Sequence, residues 1–281
     1  MKMKKKVNFD ICTFCNHKCS FCSNSDERTI KYQTSLEEFR KVMRNVLNYV
    51  ECDELGLSAK GEVLVNREFT EIVRACKKEF NIGYVYISSN GALMDKDKAI
   101  ELIEAGLDSI KFSINAVDAQ SYQEVHKVDD FEKVIANYKM LLALKRDVYP
   151  HVKVFLSSVI DMTKEELEGH VRKLFGDLYD YIDGVSVYKI SYTPKFEVEK
   201  DTKVTAKCSI PFNELYINSD GSLGLCCKDY FDEVNFGSLL EHDFLEVYNG
   251  DAFKAVRQMH KKSEFPDGHL CKNCLLFDGG M

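Results

Sequence analysis

Residues 15–22 read CNHKCSFC, and the three cysteines of this stretch have the spacing C-x3-C-x2-C. Four thiolates would complete the protein ligands of a [4Fe–4S] cluster or a tetrahedral zinc site, so three thiolates leave one metal position open. An open position is where a ligand binds and where chemistry can start. Cys15, Cys19 and Cys22 therefore indicate a reactive metal site, and the sequence around them must show which ligand completes it.

Length and composition limit the class of protein. The chain has 281 residues, of which 45% are apolar, and this is enough for one large α/β domain or for a domain with a smaller module. A net charge of −7 excludes a global basic field for nucleic acid. The basic start MKMKKK is not followed by the apolar run of a signal peptide, and no stretch is long enough for a membrane span. We expect a cytoplasmic protein.

The eleven cysteines are more typical of metal sites than of a disulfide framework, because the cytoplasm keeps thiols reduced. Seven of them fall into two sets with ligand-like spacing, namely 15/19/22 and 208/226/271/274. Cys52 and Cys76 stand alone and are expected to be small buried hydrophobic residues. The spacing does not decide the roles of Cys12 and Cys227.

Hydrophobic patterning alternates between strands and helices over the first two thirds of the chain. Strands are predicted at Val7–Ile11, Glu54–Ser58, Tyr84–Ser88, Ser109–Ile114, Val152–Val159 and Gly184–Tyr188. Helices are predicted at Ser35–Tyr49, Glu68–Glu79, Lys96–Ala105, Phe131–Leu144 and Lys164–Phe175. Six strands that alternate with helices predict a parallel sheet of right-handed βαβ units, as in a partial (β/α)6 TIM-like barrel. Active sites of such barrels lie at the carboxyl ends of the strands.

Local signals refine this prediction. Ser35 with Glu38 and Thr163 with Glu166 form capping boxes at two helix starts, and Gly106 is a helix stop. The pattern changes near Ser191, so we predict a barrel domain over residues 1–195 and a small α+β domain over residues 196–281. The second domain is expected to contain a hairpin that turns at Asp220–Gly221 and a helix at Phe244–His260.

The chain resembles the radical S-adenosylmethionine (radical SAM) enzymes in the order of its motifs. After the first strand comes the cysteine triplet, and after the second comes AKGEV, which is similar to the family's GGEP motif at Gly61 and Glu62. Lys60 and Val63 depart from that motif. After the third strand comes SSNG, which is similar to the family's S/T-x-N-G segment. The resemblance covers about residues 6–190.

The resemblance implies the cofactors and their ligands. Cys15, Cys19 and Cys22 would hold a [4Fe–4S] cluster, and S-adenosylmethionine would chelate its open iron. The other residues that the resemblance places at S-adenosylmethionine are Phe21, Gly61, Glu62, Asn90, Gly91 and Ser113. Reductive cleavage of S-adenosylmethionine would give a 5′-deoxyadenosyl radical, with electrons from an external flavodoxin or ferredoxin. His17 and Lys18 are expected to face solvent or to fill space.

The second cysteine set resembles the C-terminal SPASM domain or its shortened form, called twitch. The full SPASM form has seven cysteines and two clusters, whereas this chain ends seven residues after Cys274. We therefore expect one auxiliary [4Fe–4S] cluster, with ligands Cys208, Cys226, Cys271 and Cys274. A tetrahedral zinc site has the same spacing and stays an alternative.

The resemblance to twitch enzymes favours oxidation or epimerisation of a sugar, aminocyclitol or similar small polyol. Cys227 is the hypothetical hydrogen donor for epimerisation, and Tyr188 and Lys189 are candidates for substrate contacts at the barrel mouth. One alternative is a radical SAM peptide maturase, although only fourteen residues precede Cys15 and leave no room for a peptide-recognition domain. The other is a non-catalytic iron–sulfur or zinc protein.

Overall fold

The structure is a computed structural model that describes residues 2–25, 30–57, 60–189 and 208–273. Its centre is a sheet of nine strands in the order β11-β10-β9-β2-β4-β5-β6-β7-β8. The strands are β1 Met3–Lys4, β2 Lys6–Phe9, β3 Val50–Glu51, β4 Glu54–Gly56, β5 Tyr84–Ser89, β6 Ser109–Ser113, β7 Lys153–Val159, β8 Gly184–Tyr188, β9 Glu214–Ile217, β10 Ser222–Gly224 and β11 Asn235–Ser238. The helices are α1 Leu36–Leu47, α2 Phe69–Lys78, α3 Lys96–Ala105, α4 Ala119–His126, α5 Phe131–Asp147, α6 Lys164–Phe175, α7 Ile210–Asn213, α8 Phe244–Tyr248 and α9 Asp251–Lys262.

The six predicted strands of the barrel correspond to β2, β4, β5, β6, β7 and β8, and every neighbouring pair among them is parallel. This confirms the partial (β/α)6 barrel. The C-terminal part extends the same sheet, because β9 pairs in parallel with β2, and β10 and β11 follow in antiparallel order. The carboxyl ends of the parallel strands therefore lie at one edge, and the start of the C-terminal part lies at the opposite, amino edge, where Glu214 pairs with Lys6. The predicted boundary at residues 195 and 196 lies outside the described residues.

The two faces of the sheet have different chemistry. Val85 and Ile87 on β5 are buried in the hydrophobic core, as are Ile110 and Phe112 on β6. The residues between them are polar and half-buried, for example Lys111. Because neighbouring residues of a strand point to opposite faces, the apolar set packs under the helices and the polar set faces the barrel interior. An interior lined by polar groups is built to hold a ligand.

Helix ends follow the predicted capping residues. Ser35 and Thr163 form complete capping boxes with Glu38 and Glu166. Gly106 ends α3 with φ at +106°, a conformation that favours glycine. Among the described residues, none of the helices is long and apolar enough to cross a membrane.

Two helix predictions need correction. The predicted helix Phe244–His260 is two helices, α8 and α9, because Gly250 has extended backbone angles that break the helix. Helix α4, which lies between β6 and α5, is not among the helices predicted from the sequence. Asp118 starts this helix, and its side chain accepts a hydrogen bond from the backbone of Ser121. A capping signal of this Asp-x-x-Ser kind was therefore available in the sequence.

Candidate functional site

The cysteine triplet lies in the loop that follows β2, at the carboxyl edge of the sheet. Each cysteine sulfur has a nitrogen at hydrogen-bonding distance, and for Cys15 and Cys22 it is a backbone N–H donor. The backbone N–H of His17 donates to Cys15 Sγ at 3.4 Å, and that of Asn24 donates to Cys22 Sγ at 3.4 Å. His126 Nδ1 is 3.3 Å from Cys19 Sγ. Donors of this kind stabilise sulfur in its thiolate form, which is the form that binds metal.

The electrostatics of the triplet also fit a metal cluster. Burial raises the pKa of Cys19 well above its ordinary value, and the neighbouring thiolates of Cys22 and Cys15 raise it further. Three adjacent thiolates therefore need a positive partner to share one pocket, and the iron ions of a cluster supply that charge. The three thiols fit a [4Fe–4S] cluster with one iron left open.

Gly61 packs directly on the backbone of the cysteine loop. A Cβ at this position would lie 2.3 Å from Cys12 O and 2.5 Å from Phe14 O. The following residue continues the contact, since Glu62 N donates to Phe14 O at 2.9 Å. Glycine is thus required here for the close approach of two backbone segments. Its position explains the glycine of the motif without a direct contact to a cofactor.

Glu62 is buried and its carboxylate is held by three donors. Oε1 accepts from Leu64 N at 3.1 Å and from Ser89 Oγ at 2.9 Å, and Oε2 accepts from Asn90 N at 2.7 Å. Burial nevertheless raises the pKa of this carboxyl. A carboxylate has about four acceptor sites, so one remains for a further donor. The ammonium group of S-adenosylmethionine would fit that remaining site and would offset the cost of burying the charge.

Asn90 connects Glu62 with the cysteine loop. Its Nδ2 donates to Asn16 Oδ1 at 2.9 Å and lies 4.0 Å from Cys15 Sγ. Gly91 follows with φ at +80°, and a Cβ there would lie 2.3 Å from the ring of Phe112. The structure thus brings Glu62, Asn90 and the triplet together, as the sequence predicts for one cofactor site.

The remaining predicted residues are more dispersed. Ser113 shares the inward face of β6 with Lys111. Tyr188, at the end of β8, is 37% exposed, and its ring centroid is 6.0 Å from Lys111 Nζ. Lys189 is exposed. Tyr188 and Lys189 therefore lie near the open end of the barrel.

A cavity of about 390 Å³ occupies the barrel interior and extends to both cysteine sets. Phe21 and Cys22 line it on the side of the triplet, and Cys226 and Cys227 line it on the C-terminal side. Val159 and Ile217 contribute apolar surface to the wall. Polar side chains also line it, namely Asn8, Asp10, Ser23, Lys60, Tyr86, Ser88, Lys111, Tyr216, Asn218 and Tyr230. The volume lies in the usual range for small-molecule sites.

Two residues of this wall were not singled out as site residues by the sequence analysis. Asp10 follows β2 directly and is buried; one oxygen accepts from Cys12 N at 3.3 Å, and the other has no partner in the described chain. Burial raises the pKa of Asp10 to about 7, although Lys60 opposes this shift. Lys60 itself forms an ion pair with Asp232. The lysine that replaces the first motif glycine thus links the Glu62 loop to the C-terminal part.

The second cysteine set lies in different secondary structures. Cys226 and Cys227 follow β10 and face the cavity, Cys208 precedes α7, and Cys271 is buried in the turn after α9. Cys274 lies outside the described residues, so the four-ligand set stays a prediction. Cys52 and Cys76 are buried hydrophobic residues, and Cys12 is a third buried cysteine.

The expectation for His17 was incomplete, because this residue is buried in a polar cluster and does not face solvent. His17 Nδ1 is 3.2 Å from His126 Nδ1, and His17 Nε2 is 3.1 Å from Asp130 Oδ2. Burial lowers the pKa of His126 most, and the charge of the neighbouring His17 lowers it further, to about 3. His126 lies at the end of α4, and Tyr122 stacks on its ring at 4.0 Å. This pairing could not be predicted without α4, the helix that carries His126.

Comparison with known proteins identifies the family. The model of the radical SAM superfamily matches residues 10–174, which are more than half of the chain. The chain belongs to the radical SAM superfamily. The model of the SPASM iron–sulfur cluster-binding domain matches residues 208–275. The cofactors of this radical SAM enzyme are therefore a [4Fe–4S] cluster and S-adenosylmethionine, and its SPASM domain binds auxiliary iron–sulfur.

Individual relatives of this radical SAM enzyme have diverse activities. A probable GTP 3′,8-cyclase of Saccharolobus islandicus is 34% identical over 127 residues, which are 44% of this chain and 39% of that protein. The match thus spans about two fifths of the relative's length. BtrN in complex with AdoMet and 2-DOIA is 16% identical with a TM-score of 0.63, over 98% of this chain and 94% of BtrN. Streptococcus suis SuiB bound to precursor peptide SuiA is 14% identical with a TM-score of 0.72, over 99% of this chain and 71% of SuiB. These two structures share the fold.

Proposed function

We propose that this protein is a radical SAM enzyme that oxidises or epimerises a small polyhydroxylated substrate, such as a sugar or an aminocyclitol. The observation that carries the proposal is the single cavity that extends from Cys22 of the triplet to Cys226 and Cys227 of the second set. A substrate in this cavity would contact both cofactor regions. When bound, the cluster and S-adenosylmethionine supply a 5′-deoxyadenosyl radical that abstracts a hydrogen atom from a substrate C–H bond.

The residues around the triplet are proposed to hold these cofactors. Cys15, Cys19 and Cys22 would bind the cluster, and Glu62 would bind the amino group of S-adenosylmethionine with its remaining acceptor site. Asn90 and Gly91 would lie beside the nucleoside, Phe21 beside the adenine and Ser113 near the carboxylate. Gly61 acts indirectly, through the close packing that positions Glu62 against the cysteine loop.

Polar groups at fixed positions on the cavity wall support a hydroxylated substrate. Asp10 offers a buried oxygen without a protein partner, and its raised pKa lets the carboxyl group either accept or donate a hydrogen bond near neutral pH. Tyr86 donates to Asn8 Oδ1 at 2.9 Å, so these two side chains are held in fixed positions on the wall. A substrate with several hydroxyl groups would satisfy such groups, whereas an apolar substrate would leave them unpaired.

Two other substrate classes have support among the relatives. SuiB binds a precursor peptide, and the Saccharolobus islandicus relative is a probable GTP 3′,8-cyclase. A triphosphate is the less suitable of the two for this cavity. The cationic side chains on the described wall of the cavity are Lys60 and Lys111. Lys60 already forms an ion pair with Asp232, and the pKa of Lys111 is lowered by burial and further by the charge of Lys6.

The auxiliary cysteines and Cys227 would decide the outcome of the reaction. Cys208, Cys226, Cys271 and Cys274 are proposed to hold an auxiliary cluster whose irons are all ligated by protein, which suits electron transfer better than substrate ligation. Cys227 is exposed towards the cavity beside Tyr216. Burial, followed by the charge of Cys227, raises the pKa of Tyr216 well above its usual range. If Cys227 returns hydrogen to the substrate, the product is an epimer.

The test uses anaerobically reconstituted and reduced protein with S-adenosylmethionine and a panel of polyols, peptides and GTP. We expect 5′-deoxyadenosine in every sample, with increased formation and deuterium transfer only from a C-deuterated polyol. A Cys227→Ala variant with full iron content separates the outcomes, because epimerisation would cease and oxidation would continue. Absence of 5′-deoxyadenosine from fully reconstituted protein would contradict the enzymatic proposal. Stimulation by peptides or GTP alone would contradict the polyol proposal.

A further inference from the structure

The hydrogen bonds around Asn115 determine the tautomer of His126. Val159 N donates to Asn115 Oδ1 at 2.8 Å, so the amide oxygen of Asn115 faces the backbone. The amide nitrogen Nδ2 then faces His126 Nε2 at 3.4 Å. Because an amide nitrogen only donates, His126 Nε2 must accept and carries no proton. The proton of the neutral ring therefore lies on Nδ1.

The opposite side of the cluster gives the same assignment. Asp130 Oδ2 is 3.1 Å from His17 Nε2, and a carboxylate oxygen accepts, so His17 carries its proton on Nε2. The free acceptor of a neutral His17 is then Nδ1, which faces His126 Nδ1 at 3.2 Å. The two ends of this hydrogen-bonded chain, Asn115 and Asp130, thus agree that His126 Nδ1 is the donor.

The same N–H also faces a cysteine of the triplet. Cys19 Sγ is 3.3 Å from His126 Nδ1, so the proton is shared between this sulfur and His17 Nδ1. His126 is fully buried, and the stacked ring of Tyr122 fixes its plane. Water therefore does not compete for the N–H, and the donor cannot turn away from the sulfur.

We propose that His126 donates its Nδ1–H to the thiolate of Cys19 and raises the reduction potential of the cluster that this thiolate helps to hold. Reduction adds negative charge to the cluster, and a hydrogen-bond donor to a ligand sulfur stabilises the more negative state. His126 is thus a positioning and tuning residue, and His17 weakens its effect as a competing acceptor. The inference rests on the proposed assignment of Cys19 as a cluster ligand.

The test is a redox titration of the full-length reconstituted protein. Its readout is the EPR signal that changes when S-adenosylmethionine is added. That signal distinguishes the cluster at the triplet from an auxiliary cluster. We expect His126→Phe to shift the midpoint potential to more negative values. His126→Asn, which can place an amide N–H near the position of Nδ1, should stay close to wild type. His17→Phe removes the competing acceptor and should shift the potential in the opposite direction.

Each result decides between tuning and a merely structural role. An unchanged potential in His126→Phe with full iron content would overturn the proposal, as would a shift of His126→Phe and His17→Phe in the same direction. If His126→Phe assembles no cluster, His17→Phe decides: a more positive potential supports the proposal, and any other result contradicts it. Iron content of Cys19→Ala tests the ligand assignment separately, so its failure is distinguishable from failure of the tuning role.

Discussion

At the scale of single residues, packing and internal hydrogen bonds fix the segment around Gly61 and Glu62. Gly61 occupies a position where two backbone segments meet, with Cys12 O within 2.3 Å of any added Cβ. Glu62 is held by three donors before it meets a cofactor. The sequence motif therefore encodes a rigid loop that carries the carboxylate to the cysteine triplet.

Gly61→Ala should disrupt this loop, because the methyl group must displace the backbone at Cys12–Phe14. We expect a loss of iron from the triplet and an affinity for S-adenosylmethionine that is at least about tenfold weaker, since hydrogen bonds to charged groups contribute on the order of 1.5–3 kcal/mol. Iron quantitation and isothermal titration calorimetry measure both effects.

Gly169→Ala is the matched control for this substitution. Gly169 lies within α6, and no atom is within 4 Å of an added Cβ. Alanine is the better helix former, so this variant should keep its iron and gain up to about 1 kcal/mol of stability. Equal iron content in the two variants would contradict the packing role of Gly61.

At the scale of elements, the periodicity of the sequence predicts the barrel well and its insertions poorly. Strands β5 and β8 and helices α3 and α6 lie within one residue of their predicted limits, and capping residues at Asp95, Gly106 and Thr163 mark the ends of these helices. The short helix α4 has a mixed sequence, AQSYQEVH, of which only Tyr122 and His126 are buried. Part of its burial comes from α5, where Tyr122 packs near Phe131, and part comes from the cysteine loop, which is more than a hundred residues away in sequence, as in the pair His17–His126. Local patterns cannot reveal such contacts.

The same limit applies to the cavity. The triplet, Glu62 and Asn90 could be assigned to one site from the sequence, because each follows a strand of a predicted parallel sheet. The ion pair of Lys60 with Asp232 could not, because it depends on how the C-terminal part meets the barrel. Asp10 could not be predicted as a site residue either, since a single aspartate after a strand has no motif around it.

Asp183, which directly precedes β8, forms ion pairs with Lys145 of α5 and with Lys153 of β7. Asp183 accepts from Lys145 Nζ, from Lys153 Nζ at 3.2 Å and from Val154 N at 2.6 Å. Burial opposes ionisation of Asp183, but the hydrogen bonds from Lys145 and Val154 hold its pKa below the ordinary value. The ammonium group of Lys145 is itself largely buried.

Asp183→Asn leaves that buried ammonium group without its counter-charge and should lower the free energy of unfolding by about 3 kcal/mol. Because the folded-state pKa is lowered, the difference from wild type should be complete above about pH 4 and vanish as the pH falls through the folded-state pKa. Urea denaturation at several pH values measures this. Asp53→Asn, which breaks the exposed pair of Asp53 with Lys4, is the control and should leave the midpoint unchanged. Equal effects of the two variants would contradict a structural role for the buried pair.

At the scale of the whole molecule, the barrel and the C-terminal part form one continuous sheet, because β9 extends the barrel at β2. This arrangement places Cys226 and Cys227 on the wall of the cavity that Cys22 also lines. The account therefore depends on two iron–sulfur sites on one cavity. Its main alternative is a zinc site at the second cysteine set, since zinc accepts the same four thiolates.

The most direct test is iron and sulfide quantitation, with Mössbauer spectra, on wild-type protein and on the Cys15/Cys19/Cys22→Ala triple variant. Two [4Fe–4S] clusters predict about eight irons per chain in wild type and about four in the triple variant, with the auxiliary cluster intact. About four irons in wild type and none in the variant, with zinc retained in both, would contradict the account and assign the second cysteine set to zinc.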